Sequence, residues 1–310
     1  MSGGARVSAI VVTMSRPAEL ALTVASAMAG TATPDEFVVV DASADERTEY
    51  VVSQMPSAFS RVEFVYIRMP PGLPAQRNAG LDAATGDIIL FLDDDVTLEP
   101  AFLAEVLAAF DDAAVGGACG VIANQVLPSR FVRALQWLFR QVRYARRCFL
   151  QRSGLPTFLF QPEESADVKI LTGCDMAFRR EAVARFDERI NYFDDDDISL
   201  TAARTWRLVQ VPTASLEHRL AEGARPAPMG NVRRRVLEQR LLHRRHLPQN
   251  IWNVACYYYS VWGAAAAAAL RLKPRLFLGT LLGLWDVLRT HGGRRLEAAP
   301  GEALIPRPER

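Results

Sequence analysis

The chain has 310 residues, half of them apolar, which is enough for one large domain with an appendage or for two modest domains. Its formal net charge of +1 excludes a global field that would draw it to nucleic acid, although the basic residues, nearly all arginine, are unevenly placed. Four cysteines, Cys119, Cys148, Cys174 and Cys256, lie apart without C-x-x-C spacing, which argues against a zinc site or a disulfide framework and fits a reducing compartment.

The first residues, M-S-G-G-A-R, run straight into an apolar stretch and contain no hydrophobic signal segment, so a cytoplasmic protein is expected. Val7 to Thr13 reads as a first strand, and the stretch from Ser15 to Met28 has helical spacing, with Ser15 or Arg16, before Pro17, as its start. Phe37 to Val40 reads as a second strand ending at Asp41, where an acid is placed to accept hydrogen bonds from a ribose or base, or to cap a helix. Val62 to Ile67 reads as a third strand, followed by the loop M-P-P-G-L-P and a short helix that ends at Gly86.

The next stretch, D-I-I-L-F-L-D-D-D-V from Asp87 to Val96, organises the chain. Ile88 to Leu92 is a continuous apolar run, the pattern of a strand buried on both faces of a mostly parallel sheet. It ends abruptly in Asp93, Asp94 and Asp95, at the edge where open α/β folds bind ligands. Carboxylates crowded in this way call for a cation, and hard oxygen ligands suit Mg²⁺ or Mn²⁺, which would in turn hold the phosphates of a nucleotide. A solvated turn or an aspartate cap is the plainer alternative. A helix from Pro100 to Phe110 and a buried strand from Gly116 to Ala123 follow.

Between Pro128 and Pro156 the pattern is that of a basic amphipathic helix. Phe131, Leu135, Leu138, Phe139, Val142 and Phe149 share one side, with Arg133, Arg140, Arg143 and Arg147 opposite. Such a helix lies in an anionic membrane interface or packs its apolar side on the protein core. Farther on, F-D-D-D-D-I (Phe193 to Ile198) opens a helix-like stretch, and four crowded acids imply that at least one has a raised pKa or lies near the metal or a basic partner; Asp194 and Asp195 are candidate general bases. An acidic helix start that complements the macrodipole is the alternative. His218 closes a last strand-like run, where a lone histidine is more often structural. His243 and His246 lack the i, i+4 spacing of paired ligands and read as part of a basic surface.

Five motifs, T-M-S-R-P-A-E-L, V-V-V-D-A-S-A-D, A-Q-R-N-A-G-L-D-A-A-T-G-D-I-I-L-F-L-D-D-D-V, I-L-T-G-C-D-M-A-F-R-R-E-A-V and F-D-D-D-D-I-S-L, occur in that order over roughly residues 7 to 220. Together they resemble glycosyltransferase family 2, whose fold is GT-A. The resemblance implies an inverting, metal-assisted transferase, with a nucleotide-sugar donor held by the first half of the sheet and an acceptor by the second. It implies that Asp41 and Arg77 contact the base, Thr13 the nucleoside, and Asp93 the ribose or metal shell, with Asp94 also in the donor site. Asp95 would bind the metal, His218 would add a ligand, and Asp195 would be the catalytic base. Where the family has P-T-Y-N this chain has Val12, Thr13, Met14 and Ser15, and Asp175 stands where asparagine is common. Three alternatives stay open: transfer to a polyprenyl phosphate, a non-catalytic nucleotide-sugar-binding protein, and a sugar-phosphate nucleotidyltransferase. The last would need a glycine-rich basic loop after the first strand.

Ile251 to Leu270 is uncharged, rich in Tyr, Trp and Ala, and flanked by basic residues; Leu276 to Leu288 is a second apolar piece after Pro274. A monotopic hairpin in the cytoplasmic leaflet is expected rather than a true span, and with it a lipid-linked saccharide acceptor. The expected division is therefore a GT-A catalytic domain over 1–225 (α/β, mostly parallel sheet flanked by helices) containing an amphipathic insertion at 128–156. A helical, membrane-associated appendage over 226–291 and a disordered tail over 292–310 complete it.

Overall fold

A computed structural model describes residues 5–219 and 229–290; the tail expected at 292–310 lies outside the described residues. The chain divides into two compact units, one formed by Met1–Val126, Gln161–Glu188 and Asp194–Ala221, the other by Leu127–Phe160, Arg189–Phe193 and Glu222–Arg310.

The first unit is a nine-stranded sheet with helices packed on it. In chain order it contains β1 (Val7–Thr13), α1 (Pro17–Met28), β2 (Glu36–Asp41), α2 (Arg47–Ala58), β3 (Glu63–Arg68), α3 (Leu73–Ala83), β4 (Ile88–Asp93), β5 (Val96–Leu98) and α4 (Phe102–Ala108). A one-turn 3₁₀ helix (Ala109–Asp111) and β6 (Val115–Ile122) follow. After the segment that belongs to the second unit come β7 (Ala166–Val168), β8 (Asp175–Arg179), α6 (Asp194–Ala202) and β9 (Arg207–His218).

The strand order is β3-β2-β1-β4-β8-β6-β9-β5, with β7 paired to β9. Pairings among β1, β2, β3 and β4 are parallel, and those of β4 and β6 with β8 are antiparallel. The sheet is thus parallel in its first half and mixed in its second. The expected runs at 7–13 and 88–92 are strands buried on both faces, because α1 and α4 cover one side while α3 lies on Ile10 and Val40. α1 buries Leu20, Thr23, Val24 and Ala27, the i, i+3, i+4, i+7 stripe of a surface helix. α2, β5, β7 and β8 were not anticipated. β5 and β7 have only three residues and β8 only five, and α2 shows a weak apolar stripe, burying Thr48, Val52 and Met55.

The second unit contains α5 (Arg130–Leu138), α7 (Met229–His246), α8 (Ile251–Leu270) and α9 (Pro274–Arg289). Val236, Leu237, Tyr257, Val261, Leu284 and Val287 form its core. α9 approaches α7 closely at Gly279 and Gly283, where a Cβ would lie 2.8 and 2.7 Å from the Met229 and Arg233 carbonyl oxygens. Asn250 caps α8 by accepting a hydrogen bond from Asn253 N at 2.9 Å.

Two expectations need correction here. The amphipathic pattern at 128–156 forms only the nine-residue α5, because the chain turns at Phe139 and Arg140, the latter at φ +55°. Beyond it Tyr144 bridges Phe158 and Leu150 bridges Pro156, so the periodicity that continued past Leu138 is not helical. His243 is not part of a basic surface. It is buried, with Nδ1 2.7 Å from Arg240 Nη1 and Nε2 2.9 Å from the Asn253 carbonyl oxygen.

The glycines of β6 test the packing. A Cβ on Gly120 would strike the Ala214 carbonyl and lie 2.7 Å from Phe102 Cε2, whereas one on Gly230 meets nothing within 4 Å. Gly120→Ala is expected to cost about 1–3 kcal/mol in chemical denaturation, and Gly230→Ala to stay within about 0.5 kcal/mol of the parent.

Candidate active site

Register brings the candidate residues of the first unit to one sheet edge. Thr13 pairs with Asp41 across β1 and β2, Val12 with Asp93 across β1 and β4, and Leu92 with Asp175 across β4 and β8. The turn after β4 carries Asp94 and Asp95 directly into β5, whose Val96 pairs with His218 at the end of β9. That antiparallel pairing, with Arg219 N donating to the Asp95 carbonyl at 2.8 Å, fixes His218 beside Asp95. From α1, Thr23 Oγ1 donates to the Asp94 and Val96 carbonyls, each at 2.8 Å, and holds the same turn from below.

His218 Nε2 lies 2.9 Å from Asp95 Oδ1 and 4.0 Å from Asp93 Oδ2. Asp93, Asp95 and His218 can direct ligand atoms that all lie within 4.8 Å of one another. Two carboxylates and an imidazole suit Mg²⁺ or Mn²⁺, the histidine favouring Mn²⁺, so this set fits a divalent cation. The hydrogen bond and charge of Asp95 raise the His218 pKa above its ordinary value despite burial. Burial would raise the Asp95 carboxyl, but His218 and Arg16 outweigh it and hold that carboxyl below the usual range.

The sequence marks Arg16 only as a possible helix start, not as a site residue. Its Nη1 donates to Asp95 Oδ2 at 2.9 Å and to Asp94 Oδ1 at 3.2 Å, while Thr13 Oγ1 donates to Asp94 Oδ2 at 2.6 Å. The available signal was an arginine three residues after Thr13 on a strand–helix turn, at the edge where the acid triad was expected. Thr13 and Asp94 are buried and bonded to each other; Asp93 remains partly exposed, and burial pushes its carboxyl up to about 6.

A second cluster lies around Arg77 on α3. Its buried guanidinium donates to Asp194 Oδ2 at 2.5 Å and to the Gly173 carbonyl at 3.1 Å, and lies 3.6 Å from Asp93 Oδ1. Arg77 therefore links the two acidic groups, with Phe186 under it at 5.6 Å. Asp194 is buried against this cation, whereas Asp195 is half-buried and has no cation of its own among these contacts. Burial first, then the Asp194 charge, push the Asp195 carboxyl up to about 7. A Cβ on Gly173 would collide with the Asp195 carboxylate, so only glycine leaves that group its place.

Asp41 sits apart from these clusters. It is fully buried; Oδ1 accepts from Ser43 N at 2.8 Å and Oδ2 from Tyr66 OH at 2.8 Å. Asp175 is also fully buried, accepts from Gly120 N at 2.7 Å, and is pushed up to about 7 by burial.

The sequence model of Glycosyl transferase family 2 matches residues 8–186. Among solved structures, the chain is similar to a mannosyltransferase, PcManGT from Pyrobaculum calidifontis in complex with GDP-Man and Mn²⁺, with TM-score 0.58, 18% identity, and coverage of 95% of this chain and 85% of that one. It is also similar to GalNAc-T7 with UDP, GalNAc and Mn²⁺, with TM-score 0.60, 14% identity, and coverage of 95% of this chain and 58% of that one. TarS of S. aureus, residues 1–349, gives TM-score 0.50 and 14% identity, covering 96% of this chain and 93% of that one. No curated protein gives a significant match.

The Asp195 shift sets a pH dependence. Its native pKa of about 7 exceeds the unfolded value of about 3.9. Between those values the native state binds more protons, so Asp195 removes stability as pH rises through that window. In chelator-treated buffer, Asp195→Asn is expected to melt higher than the parent at pH 8, with the difference vanishing near pH 4.

Proposed function

The chain belongs to glycosyl transferase family 2, and from that premise we propose that it moves a sugar, with inversion, from a nucleotide-sugar donor to a hydroxyl of a lipid-linked saccharide. The observation that carries this reading is the linkage, at one sheet edge, of the Asp93–Asp95–His218 set to the half-buried Asp195 through Arg77 and Asp194. A donor diphosphate needs charge stabilisation as it leaves, and a neutral hydroxyl needs a base; the edge supplies groups suited to both.

Asp93, Asp95 and His218 would hold Mg²⁺ or Mn²⁺, which when bound supplies Lewis-acid stabilisation of the departing diphosphate. PcManGT and GalNAc-T7, each solved with Mn²⁺, support this assignment by fold. Thr13 and Asp94 lie beside that set on the donor side, and Asp41 supports the base-binding end through its bonds to Ser43 and Tyr66. Arg77 was expected to contact the base. Its commitment to Asp194, the Gly173 carbonyl and Asp93 favours a different part, fixing Asp194 and setting the charge around Asp195.

Asp195 is the proposed base. Among the described residues it accepts a backbone hydrogen bond from Asp196 N at 3.0 Å and no side-chain one, and it keeps part of its surface accessible, whereas Asp194 is tied to Arg77. Its raised pKa increases its basicity toward an acceptor hydroxyl. An acid so placed favours a hydroxyl acceptor over a polyprenyl phosphate, which is already an anion.

The second unit supports an acceptor presented at an anionic membrane surface. Its described residues carry eighteen Lys and Arg against two acids, Glu238 and Asp286, a formal charge of +16. Both acids are buried and paired, Glu238 with Arg234 and Asp286 with Arg233, so this unit has no exposed carboxylate side chain among the described residues. Trp252, Ala255, Tyr259, Trp262, Ala266 and Ala269 form an exposed, uncharged stripe on α8 at helical spacing. Leu270 and Leu272 flank Arg271 at its end, and Trp285 is 63% exposed on α9. No described helix is long and apolar enough to cross a membrane. Aromatic residues beside arginines suit an interfacial position instead, and the protein is proposed to work as a peripheral enzyme on the cytoplasmic face of a membrane, in surface-polysaccharide assembly.

A thermal-shift screen of nucleotide sugars with and without Mn²⁺ identifies the donor, since a ligand of the native state raises its stability. With that donor, Asp195→Asn is expected to lower turnover about 10²–10⁴-fold while donor affinity holds; unaltered turnover would remove Asp195 as base. In sedimentation with vesicles, the protein is expected to pellet with phosphatidylserine-containing but not pure phosphatidylcholine membranes. Replacing Trp252, Trp262 and Trp285 together by Ser is expected to weaken that binding at least about tenfold.

A further inference from the structure

Both oxygens of Asp95 are already engaged, Oδ1 by His218 Nε2 and Oδ2 by Arg16 Nη1, each at 2.9 Å. Arg16 also reaches Asp94 Oδ1 at 3.2 Å, so one guanidinium stands between two of the three acids. A divalent ion on Asp95 would bring a second cation within a few ångströms of that guanidinium. The two cations would repel across that carboxylate, and an added anion between them would offset the repulsion.

The surroundings allow Arg16 to move while its backbone stays in place. It precedes α1 at the N-cap position, makes no side-chain capping bond, and has a side chain 36% exposed. The preceding Ser15 is held at φ +59°, its N donating to Ser43 Oγ at 2.7 Å. The pivot is fixed and the long arm is half in solvent.

We propose that Arg16 is the resident counter-cation of the metal-free site and a diphosphate-binding residue of the loaded one. An arriving metal displaces it from Asp95, and the freed fork, whose N–H groups match phosphate oxygens, takes the diphosphate of the donor. Arg16 then competes with metal alone but cooperates with metal and diphosphate together, as linkage requires. This inference rests on the donor-site reading above.

The test is Mn²⁺ binding, followed by the loss of the free-ion EPR signal, with UDP and GDP as nucleotide probes. Arg16→Gln is expected to bind Mn²⁺ alone about three- to tenfold tighter than the parent and, at saturating Mn²⁺, to bind the favoured nucleotide about tenfold more weakly. Arg16→Lys, which keeps the charge, is expected to hold parental Mn²⁺ affinity. Mn²⁺ affinity in Arg16→Gln equal to or below that of the parent overturns the competition, and unchanged nucleotide affinity overturns the diphosphate role. Parent and variant that both bind Mn²⁺ and nucleotide identically remove this inference alone, whereas a parent that takes up neither removes the donor-site reading and this inference with it.

Discussion

Carboxylates crowded at the carboxyl edge of a sheet repel one another, and this edge folds basic side chains in among them. Arg77 stands between Asp93 and Asp194, Arg16 between Asp94 and Asp95, and His218 against Asp95. Each of these groups comes from a different part of the chain, the turn before α1, helix α3 and the end of β9. The site thus depends on three long-range packings being correct together. Where no cation is supplied the cost shows in protonation instead, as at Asp195 and the fully buried Asp175.

The sheet makes this concentration of charge possible. Parallel pairing of β1, β2 and β4 ends three apolar strands at one level, so that polar residues emerge together where burial stops. The antiparallel β5–β9 pairing then returns His218 to that level from far along the sequence. The scaffold is apolar so that the edge can be charged, and Gly173 leaves the Asp195 carboxylate room that a side chain would close.

Much of this was legible in the sequence. The apolar runs ending in Asp41 and Asp93 announced the strands and their polar edge, because a buried parallel strand tolerates few polar residues before its end. Short strands such as β5 and β7 carried too few residues to show a period, and α2 too weak a stripe. The pattern past Leu138 misled because spacing alone cannot report the positive φ at Arg140 that turns the chain. His243 looked like surface beside arginines, yet Arg240 and the Asn253 carbonyl satisfy it inside the second unit. Arg16 shows the limit most plainly. Proximity in sequence placed Asp93, Asp94 and Asp95 together, but the partner of two of them lies nearly eighty residues earlier and is brought there by sheet register.

The near-neutral total conceals a separation of charge. The described residues of the second unit sum to +16, and those of the first, with twenty-nine acids and thirteen Lys and Arg, to −16. A sequence pI of about 7.7 therefore says little about how the surface meets other charged bodies. Guanidinium groups keep their charge throughout the physiological range, so acidity hardly alters the positive unit. Screening does: the reach of such a field shrinks from about 30 Å at 0.01 M salt to about 8 Å at 0.15 M. Ionic strength, rather than pH, is the reversible control on whatever this unit attracts.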